Sequence, residues 1–411
     1  MTWPIDKIES IKANTRNSLV GGPFGSELTT QHYVEEGVPV IRGANLSDEQ
    51  AFIDDNFVFV SEQKADKLIA NNAYPGDIIF TQRGTLGQVG IIPKNSNFPR
   101  YVISQSQMKL RVDSTKADER FVYYLFRHPE TVQNIKNRAI TSGVPHINLG
   151  ILREIEIPVP HLDMQRKIAN ILVAYDDMIE NNRRRMTLLE DAARLLYQEW
   201  FVHLRFPGYE HTRIIDGILP EGWERVPAVE AIEINPRMQL SDEKEHWWVE
   251  MSDLPTESMV IQKAIKREGR SGSKFRNGDT LFARITPCLE NGKTGFVNFM
   301  DDNEVGQGST EFIVMRSNRV TPEYVYCLAR TYNFRENAIK SMIGSSGRQR
   351  VQVSSFEKYM VLIPPLKILD LFRCFTELLF DQIKNLHIQN QKLRAARDLL
   401  LPRLMNGEIA V

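Results

Sequence analysis

The spacing of apolar side chains changes character along this chain, and it changes twice in the same way. Up to Pro158 the apolar residues alternate or bunch in short runs, "GVPVIRGANL", "GDIIF", "VGIIP" and "QMKLRV", each bounded by Gly, Pro or Asn. Runs of that kind predict strands joined by turns. One longer segment among them, "DERFVYYLFRHPETVQNIKNR", predicts a helix. After Pro160 the period lengthens to three and four: Ile168, Leu172, Tyr175, Ile179, Met186, Leu189, Ala193, Leu196 and Trp200, interrupted by Asn182. The second half repeats these events. "HWWVEMSDL", "DTLFARI", "TGFVNF" and "EFIVMRS" predict strands, and a helix runs from Pro322 to about Met342. Beyond Pro365 a second long period appears: Ile368, Phe372, Phe375, Leu379, Leu386, Leu393, Ala396 and Leu400, with Gln382 and Gln389 at intervening steps.

Laid over each other, the halves bring several landmarks into one order. "GDIIFTQR" (76–83) meets "GDTLFARI" (278–285), and "GQVGII" (87–92) meets "GKTGFV" (292–297). "FVYYL" (121–125) meets "YVYCL" (324–328), "TSGVPHINLGIL" (141–152) meets "GSSGRQRVQVSSF" (344–356), and "AAR" (192–194) meets "AAR" (395–397). The chain is therefore expected to be an internal repeat. The sustained heptads predict two helices that pack along their whole length, most economically against each other and antiparallel, with polar Asn182 fixing register. The expected pairing residues are Ile168, Leu172, Tyr175, Ile179, Leu189 and Leu196, against Phe372, Phe375, Leu379, Leu386, Leu393 and Leu400. The fold class is α+β: two similar globular domains separated by two long helices that pair as an antiparallel coiled coil, with a pseudo-two-fold repeat. Residues 1–160 make the first head, 161–206 a central helical spacer, 207–364 the second head and 365–411 a C-terminal helical spacer.

Composition narrows the functional classes. With 411 residues, 42% hydrophobic and 25% charged, the chain has room for two or three domains with real cores. No apolar run reaches the roughly 18 residues of a membrane span, and "MTWPIDKIES" lacks a signal-peptide layout. Cys288, Cys327 and Cys374 are scattered, so neither a disulfide framework nor a metal site is expected, and a cytoplasmic location is. A formal net charge of −1 argues against an indiscriminate nucleic-acid binder while leaving room for local basic patches. The phosphate-loop, zinc, nucleophile-elbow and Asn/Asp-Pro-Pro-aromatic motifs are missing from the sequence. "DDNFVFVSEQK" puts Asp54 and Asp55 ahead of Glu62 and Lys64, a loose echo of nuclease ligands, but the E-x-K is expected to open a solvated helix. No catalytic residue and no metal ligand is assigned.

The heads carry turn-rich, polar and locally basic segments instead. "GGPFGSEL" (21–28) exposes backbone amides around Gly22, Phe24 and Ser26. Arg42 and Asn45 close one strand, Gln82 and Arg83 the next, and Gln105 and Gln107 sit in "SQSQ". In the second head, "QKAIKREGRSGSKFR" is basic with a single acid and supplies Arg270, Ser271 and Lys274. Arg284, Lys293 and Gln307 follow, then Arg348 and Arg350 in "SSGRQRVQ". Arg, Gln and Asn can read base edges with two hydrogen bonds, whereas Lys and backbone amides mostly hold phosphates. These residues are the candidate DNA contacts.

At this point the sequence resembles the DNA-specificity subunits of Type I restriction–modification systems, over essentially its whole length. The resemblance is carried by "GGPFGSELTTQHYVEEGVPVIRGANLSD" (21–48), "GDIIFTQRGTLGQVGIIP" (76–93), "HINLGILREIEIPVPHLDMQRKIANIL" (146–172) and "LRAARDLLLPRLMNGEI" (393–409). It implies two target-recognition domains, each reading half of a split site in double-stranded DNA, and helices that dock two methyltransferase subunits. A restriction–motor subunit would complete the assembly, and S-adenosylmethionine, ATP and Mg²⁺ would belong to those partners. The second head departs from the first: it lacks "GPFGS", and Asp253 stands where Asn45 would be. An asymmetric target is therefore expected. The other classes are an interaction scaffold without productive DNA recognition, opposed by the basic loops, and a stand-alone nuclease or methyltransferase, opposed by the missing motifs.

Overall fold

The computed structural model describes residues 3–141, 143–215 and 219–411. Ser142, within the "TSGVPHINLGIL" landmark, lies outside the described residues, as do Met1 and Thr2 of the first expected domain and 216–218 of the second. The chain forms two compact units, Met1–Glu180 with Asn390–Val411, and Asn181–Gln389. The division falls inside both long helices, Leu162–Tyr197 and Leu366–Met405. Each unit is thus a head plus half of each helix. No helix among the described residues is long and apolar enough to cross a membrane.

Both helices start where proline dictates. A residue preceding proline is pushed out of the helical region, so neither Val159 before Pro160 nor Pro364 before Pro365 readily begins a helix earlier. The first helix is tied to its head by buried Gln165, whose amide donates to Pro160 O at 2.7 Å while its oxygen accepts from the Asp118 amide at 2.9 Å.

The heads share one scaffold. In the first unit a four-stranded sheet runs Leu19–Gly21, Gln107–Leu110, Ile78–Thr81, Val89–Ile91. The second unit has Ile232–Ile234, Phe312–Ser317, Thr280–Ala283, Thr294–Phe296 in the same antiparallel order. The Gly-Asp landmark has a job in both. Gly76 and Gly278 turn the chain at φ +91° and +87°, a region where a side chain is strained. Asp77 then takes a forked hydrogen-bond pair from Arg111 at 2.7 and 2.9 Å, and Asp279 one from Arg316 at 2.8 and 2.6 Å. A second sheet in each head contains a parallel pair, Val40 and Ile41 beside Val102 and Ile103, and Trp248 and Val249 beside Gln307 and Gly308.

Two expectations about helices are corrected. The single helix expected over 118–138 is two, Glu119–Leu125 and Pro129–Asn137, because the His128 ring caps the second and Pro129 cannot continue the first. Pro322–Met342 is likewise split into Pro322–Arg330 and Tyr332–Lys340 by Thr331, whose hydroxyl accepts from the Phe334 amide.

Within each unit the helix halves pair antiparallel. In the first, the Arg397 guanidinium is bound to the Asp176 carboxylate, and the Asn390 amide donates to Ile179 O at 3.2 Å. Ile168, Ala169 and Leu172 share a core with Leu401, Leu404 and Met405. In the second, Phe372 packs on Tyr197, Trp200 and Phe201 with ring centroids 6.4, 5.9 and 4.8 Å apart. Ile168, Leu172, Ile179, Asn182, Phe372 and Leu386 are buried, while Tyr175, Leu189, Leu196, Leu379, Leu393 and Leu400 are only half-buried. Phe375 is 55% exposed, which corrects its place in the pairing seam. The buried face of the second helix passes instead through Thr376, Phe380, Ile383, Asn390, Arg397, Leu401 and Leu404. Beyond Phe372 it lies about one position later than the apolar residues alone predicted, since polar Thr376, Asn390 and Arg397 belong to it.

Each head is also bound to its helix by a polar contact. The Tyr124 hydroxyl donates to Asp176 at 2.6 Å in the first unit. In the second, buried Glu190 accepts from the Met259 amide at 2.7 Å and from the Tyr326 hydroxyl, with Arg330 at 3.7 Å. Burial pushes the Glu190 carboxyl up, and Arg330 opposes that shift.

Candidate nucleic-acid interface

Four loops of the first head converge beside the strands that end in them. The Gly22 amide donates to Gln107 O at 2.8 Å, the Gln82 amide to Ser106 O at 2.7 Å, and the Ser104 amide to Ile41 O at 2.9 Å. Gly22 is required here: a Cβ would fall 2.0 Å from Ser104 O. The Gln105 amide group donates to the Gly25 and Leu28 carbonyls, and the Phe24 amide to Glu27 at 3.1 Å. This bracing holds Phe24 out in solvent, 89% exposed, with Ser26 beside it in the sequence and also exposed. The segments around Gly22, Arg42, Gln82, Gln105 and Gln107 are thereby gathered into one loop cluster, and Arg83 extends it, exposed and bridged to His146.

Not every gathered side chain faces outward. Asn45 is 1% exposed; its oxygen accepts from the Arg42 amide at 3.0 Å, and its nitrogen donates to Ile53 O and Asp55 O at 3.1 and 3.0 Å. Gln107 is buried and accepts from the Ser104 hydroxyl. Both serve the scaffold in this state. Arg42 is half-buried, with one nitrogen donating to Asn56 O at 3.3 Å and Nε without a partner. Two of the nuclease-like residues are engaged otherwise: Asp54 accepts from Tyr101 at 2.5 Å and from the Asn97 amide at 2.6 Å, and Glu62, in the helix Glu62–Lys67, is bound by Arg100.

The second head repeats the framework with other side chains. The Val351 amide donates to Arg284 O at 2.9 Å, as the Ile147 amide donates to Gln82 O at 3.0 Å. Asp253 accepts from the Glu250 amide at 2.8 Å, the same capping bond that Asn45 makes to Arg42. So the cap is kept while Arg42 is replaced by Glu250. Lys293 is spent on Met251 O at 2.7 Å and Ser252 O at 3.4 Å, and Gln307 is buried with its amide on Gly269 O at 2.6 Å. Arg350 forks onto Glu311 at 2.6 to 3.0 Å, and that hydrogen-bonded partner holds the Glu311 carboxyl below its usual range. Arg270 donates to Ser241 O at 2.7 Å and faces Asp242 at 3.6 Å. Ser271 and Arg348 are exposed, Lys274 and Arg284 half-buried, and Arg284 Nε has no partner. Sequence reasoning missed His246, Trp248 and Arg267, although "HWW" and the basic run both signalled this region.

This doubled scaffold has known relatives. Residues 25–191 match the family model described as the Type I restriction modification DNA specificity domain. The Type I restriction enzyme MjaIX specificity subunit of Methanocaldococcus jannaschii is 24% identical over 100% of this chain and 94% of its own length. The chain is thus similar, over its whole length, to a Type I restriction–modification specificity subunit. The HindI specificity subunit of Haemophilus influenzae is 23% identical over 81% of this chain and 86% of its own. The fold is shared with the S subunit of a Type I restriction–modification system from M. genitalium, at a TM-score of 0.55 and 15% identity over 98% of this chain and 96% of that one.

Proposed function

We propose that this chain is the non-catalytic reader of an asymmetric, bipartite DNA site, one half-site per head, and that it docks two methyltransferase subunits. The observation that carries this reading is the pair of heads itself: one backbone scaffold, with Arg42 over its Asn45 cap in one and Glu250 over its Asp253 cap in the other. Equal frames with unequal outward chemistry suit unequal half-sites. Helices of 36 and 40 residues, roughly 54 and 60 Å at 1.5 Å per residue, suit a fixed unread spacer. Exposed apolar side chains on them, Met178 and Leu399 in the first unit and Leu188, Leu195, Phe375 and Leu378 in the second, suit a covering protein, which we assign to the methyltransferase subunits. S-adenosylmethionine, ATP and Mg²⁺ are assigned to partners, the motor–nuclease subunit included.

The test is modified-base sequencing of DNA from cells carrying this chain with its methyltransferase subunit. A methylated motif with two different half-sites around a fixed gap is expected. A contiguous motif, a palindrome or unmodified DNA would overturn the proposal.

A further inference from the structure

The second sheet of each head has an outer face, and the two faces differ in kind. In the first head Val38 pairs with Val60 and Val40 lies beside Val102. These four valines form an apolar cluster with Leu28, Ala65 and Leu68. The cover is the stretch between strands Val58–Val60 and Asn72–Ala73, which forms the helix Glu62–Lys67 and the turn Ile69–Asn71. In the second head the same register positions are His246 paired with Arg267, and Trp248 beside Gln307. Strands Ile265–Glu268 and Ser273–Phe275 are joined directly by Gly269–Gly272, without a covering helix. Gly272 pins that turn on the sheet, since a Cβ there would fall 1.8 Å from Gly308 O.

An apolar quartet has thus become His, Trp, Arg and Gln. The Arg267 guanidinium lies 3.3 Å from the centroid of the Trp248 ring, and one nitrogen reaches Glu250 at 3.4 Å. Its remaining N–H groups have no acceptor among the described residues, and the side chain stays 39% exposed. On the same sheet, His246 Nε2, Trp248 Nε1 and Gln307 Oε1 are buried without a hydrogen-bond partner among the described residues. Buried polar atoms are ordinarily satisfied, so three orphans on the sheet that carries one stacked arginine mark a surface built for a ligand.

We propose that this face determines specificity in the half-site of the second head, with Arg267 reading a guanine edge. The inference rests on the DNA-reading function proposed above. A guanidinium offers a rigid fork matched to guanine O6 and N7, and stacking on an indole fixes its plane before DNA arrives. A phosphate contact carries no sequence information, and lysine can make one as a point charge. His246, Trp248 and Gln307 act as positioning residues.

The experiment uses the complex of full-length chain with its methyltransferase subunits. It compares wild type, R267K, R267M and W248F by modified-base sequencing and by binding to duplexes varied at each half-site position. R267M keeps an apolar cover on Trp248, which guards against simple misfolding. Loss of discrimination at one guanine of the second half-site is expected in R267K and R267M, about fivefold to 150-fold, as for a lost bidentate contact worth about 1–3 kcal/mol. W248F should weaken the same discrimination less, and the first half-site should stay unchanged. R267K that discriminates like wild type would overturn the proposal, as would R267M that weakens all sequences equally with a reduced salt slope. A wild-type complex without sequence preference would instead overturn the DNA-reading function on which it rests.

Discussion

The last residues of the chain belong to the unit that begins it, and emptying that contact tests the architecture. Leu401, Leu404 and Met405 are buried in one cluster with Ile168, Ala169, Leu172 and the first head's own core. Truncating a buried leucine to alanine typically costs about 2–5 kcal/mol, combining lost burial and a residual cavity. Leu401→Ala with Leu404→Ala would cost roughly 4–10 kcal/mol, toward the lower figure because neighbouring cavities share walls. That is a large share of the ~5–15 kcal/mol that holds an ordinary domain folded. Hydrogen exchange read peptide by peptide is the suitable assay, since it reports opening free energy locally. Protection should fall in the strands and helices of Met1–Glu180, far away in sequence, while Asn181–Gln389 keeps its rates. Phe372→Ala provides the reciprocal arm. Its ring packs on Tyr197, Trp200 and Phe201, so a loss of about 3–5 kcal/mol should open the second unit and spare the first. Deprotection of Asn181–Gln389 by the leucine pair, with an unaffected first head, would refute the assignment of the C-terminal segment.

Arg397→Met strands the Asp176 carboxylate in a mostly buried site with only Tyr124, so unfolding in denaturant should show a loss of about 3–5 kcal/mol. Arg397→Met with Asp176→Leu should recover most of it; no recovery would mean the pair does more than neutralise itself. Lys109 is buried beside Asp77, and burial lowers its ammonium to about 8 from 10.5. A depressed lysine favours the neutral form when folded, so its contribution is complete above 10.5 and is lost as pH falls toward 8. Stability should therefore rise from pH 8 to 10 by up to about 3 kcal/mol in wild type relative to Lys109→Met, and parallel pH curves would dispose of the effect. Under the proposed function, four residues inserted after Glu180 together with four after Gln389 add about 6 Å to each helix. The methylated motif should gain one or two spacer base pairs and keep its half-sites; altered half-sites with an unchanged gap would contradict the spacer role.

Much of this fold was legible because its strongest signals are backbone rules. Gly76-Asp77 and Gly278-Asp279 stand out in the sequence since each pair makes a positive-φ turn and anchors an arginine. The prolines at 160 and 365 mark helix starts for the same kind of reason. The break at His128-Pro129 could also have been read, because proline at the first helical position often follows a polar cap. The seam of the second helix was harder. Counting apolar residues selects Phe375, yet its ring meets Trp200 edge-on at 6.3 Å while staying mostly in solvent. Arg397 and Asn390 lie in the seam because a carboxylate and a backbone carbonyl of the partner helix satisfy them there. Periodicity contains no information about partners 200 residues away.

The candidate site was legible in its loops and not in its orientations, and the two heads explain why. A glutamine or asparagine can read a base or brace a turn, and its composition is the same in either role. Gln107 lies in the four-stranded sheet of the first head and Gln307 in the second sheet of the other head; one accepts from a serine hydroxyl at the bend beside it and the other donates to a glycine carbonyl across a loop. What separates reading from bracing is the cover over the sheet, and that is decided by what lies between two strands. A helix there, as over Val38, Val40, Val60 and Val102, demands apolar residues beneath it. A four-residue turn, as at Gly269–Gly272, lifts that demand and lets Arg267, Trp248 and His246 occupy the same positions. Recognition chemistry can therefore change with the connection while the sheet beneath it stays the same, so motifs found on one head are a poor guide to the contacts of the other.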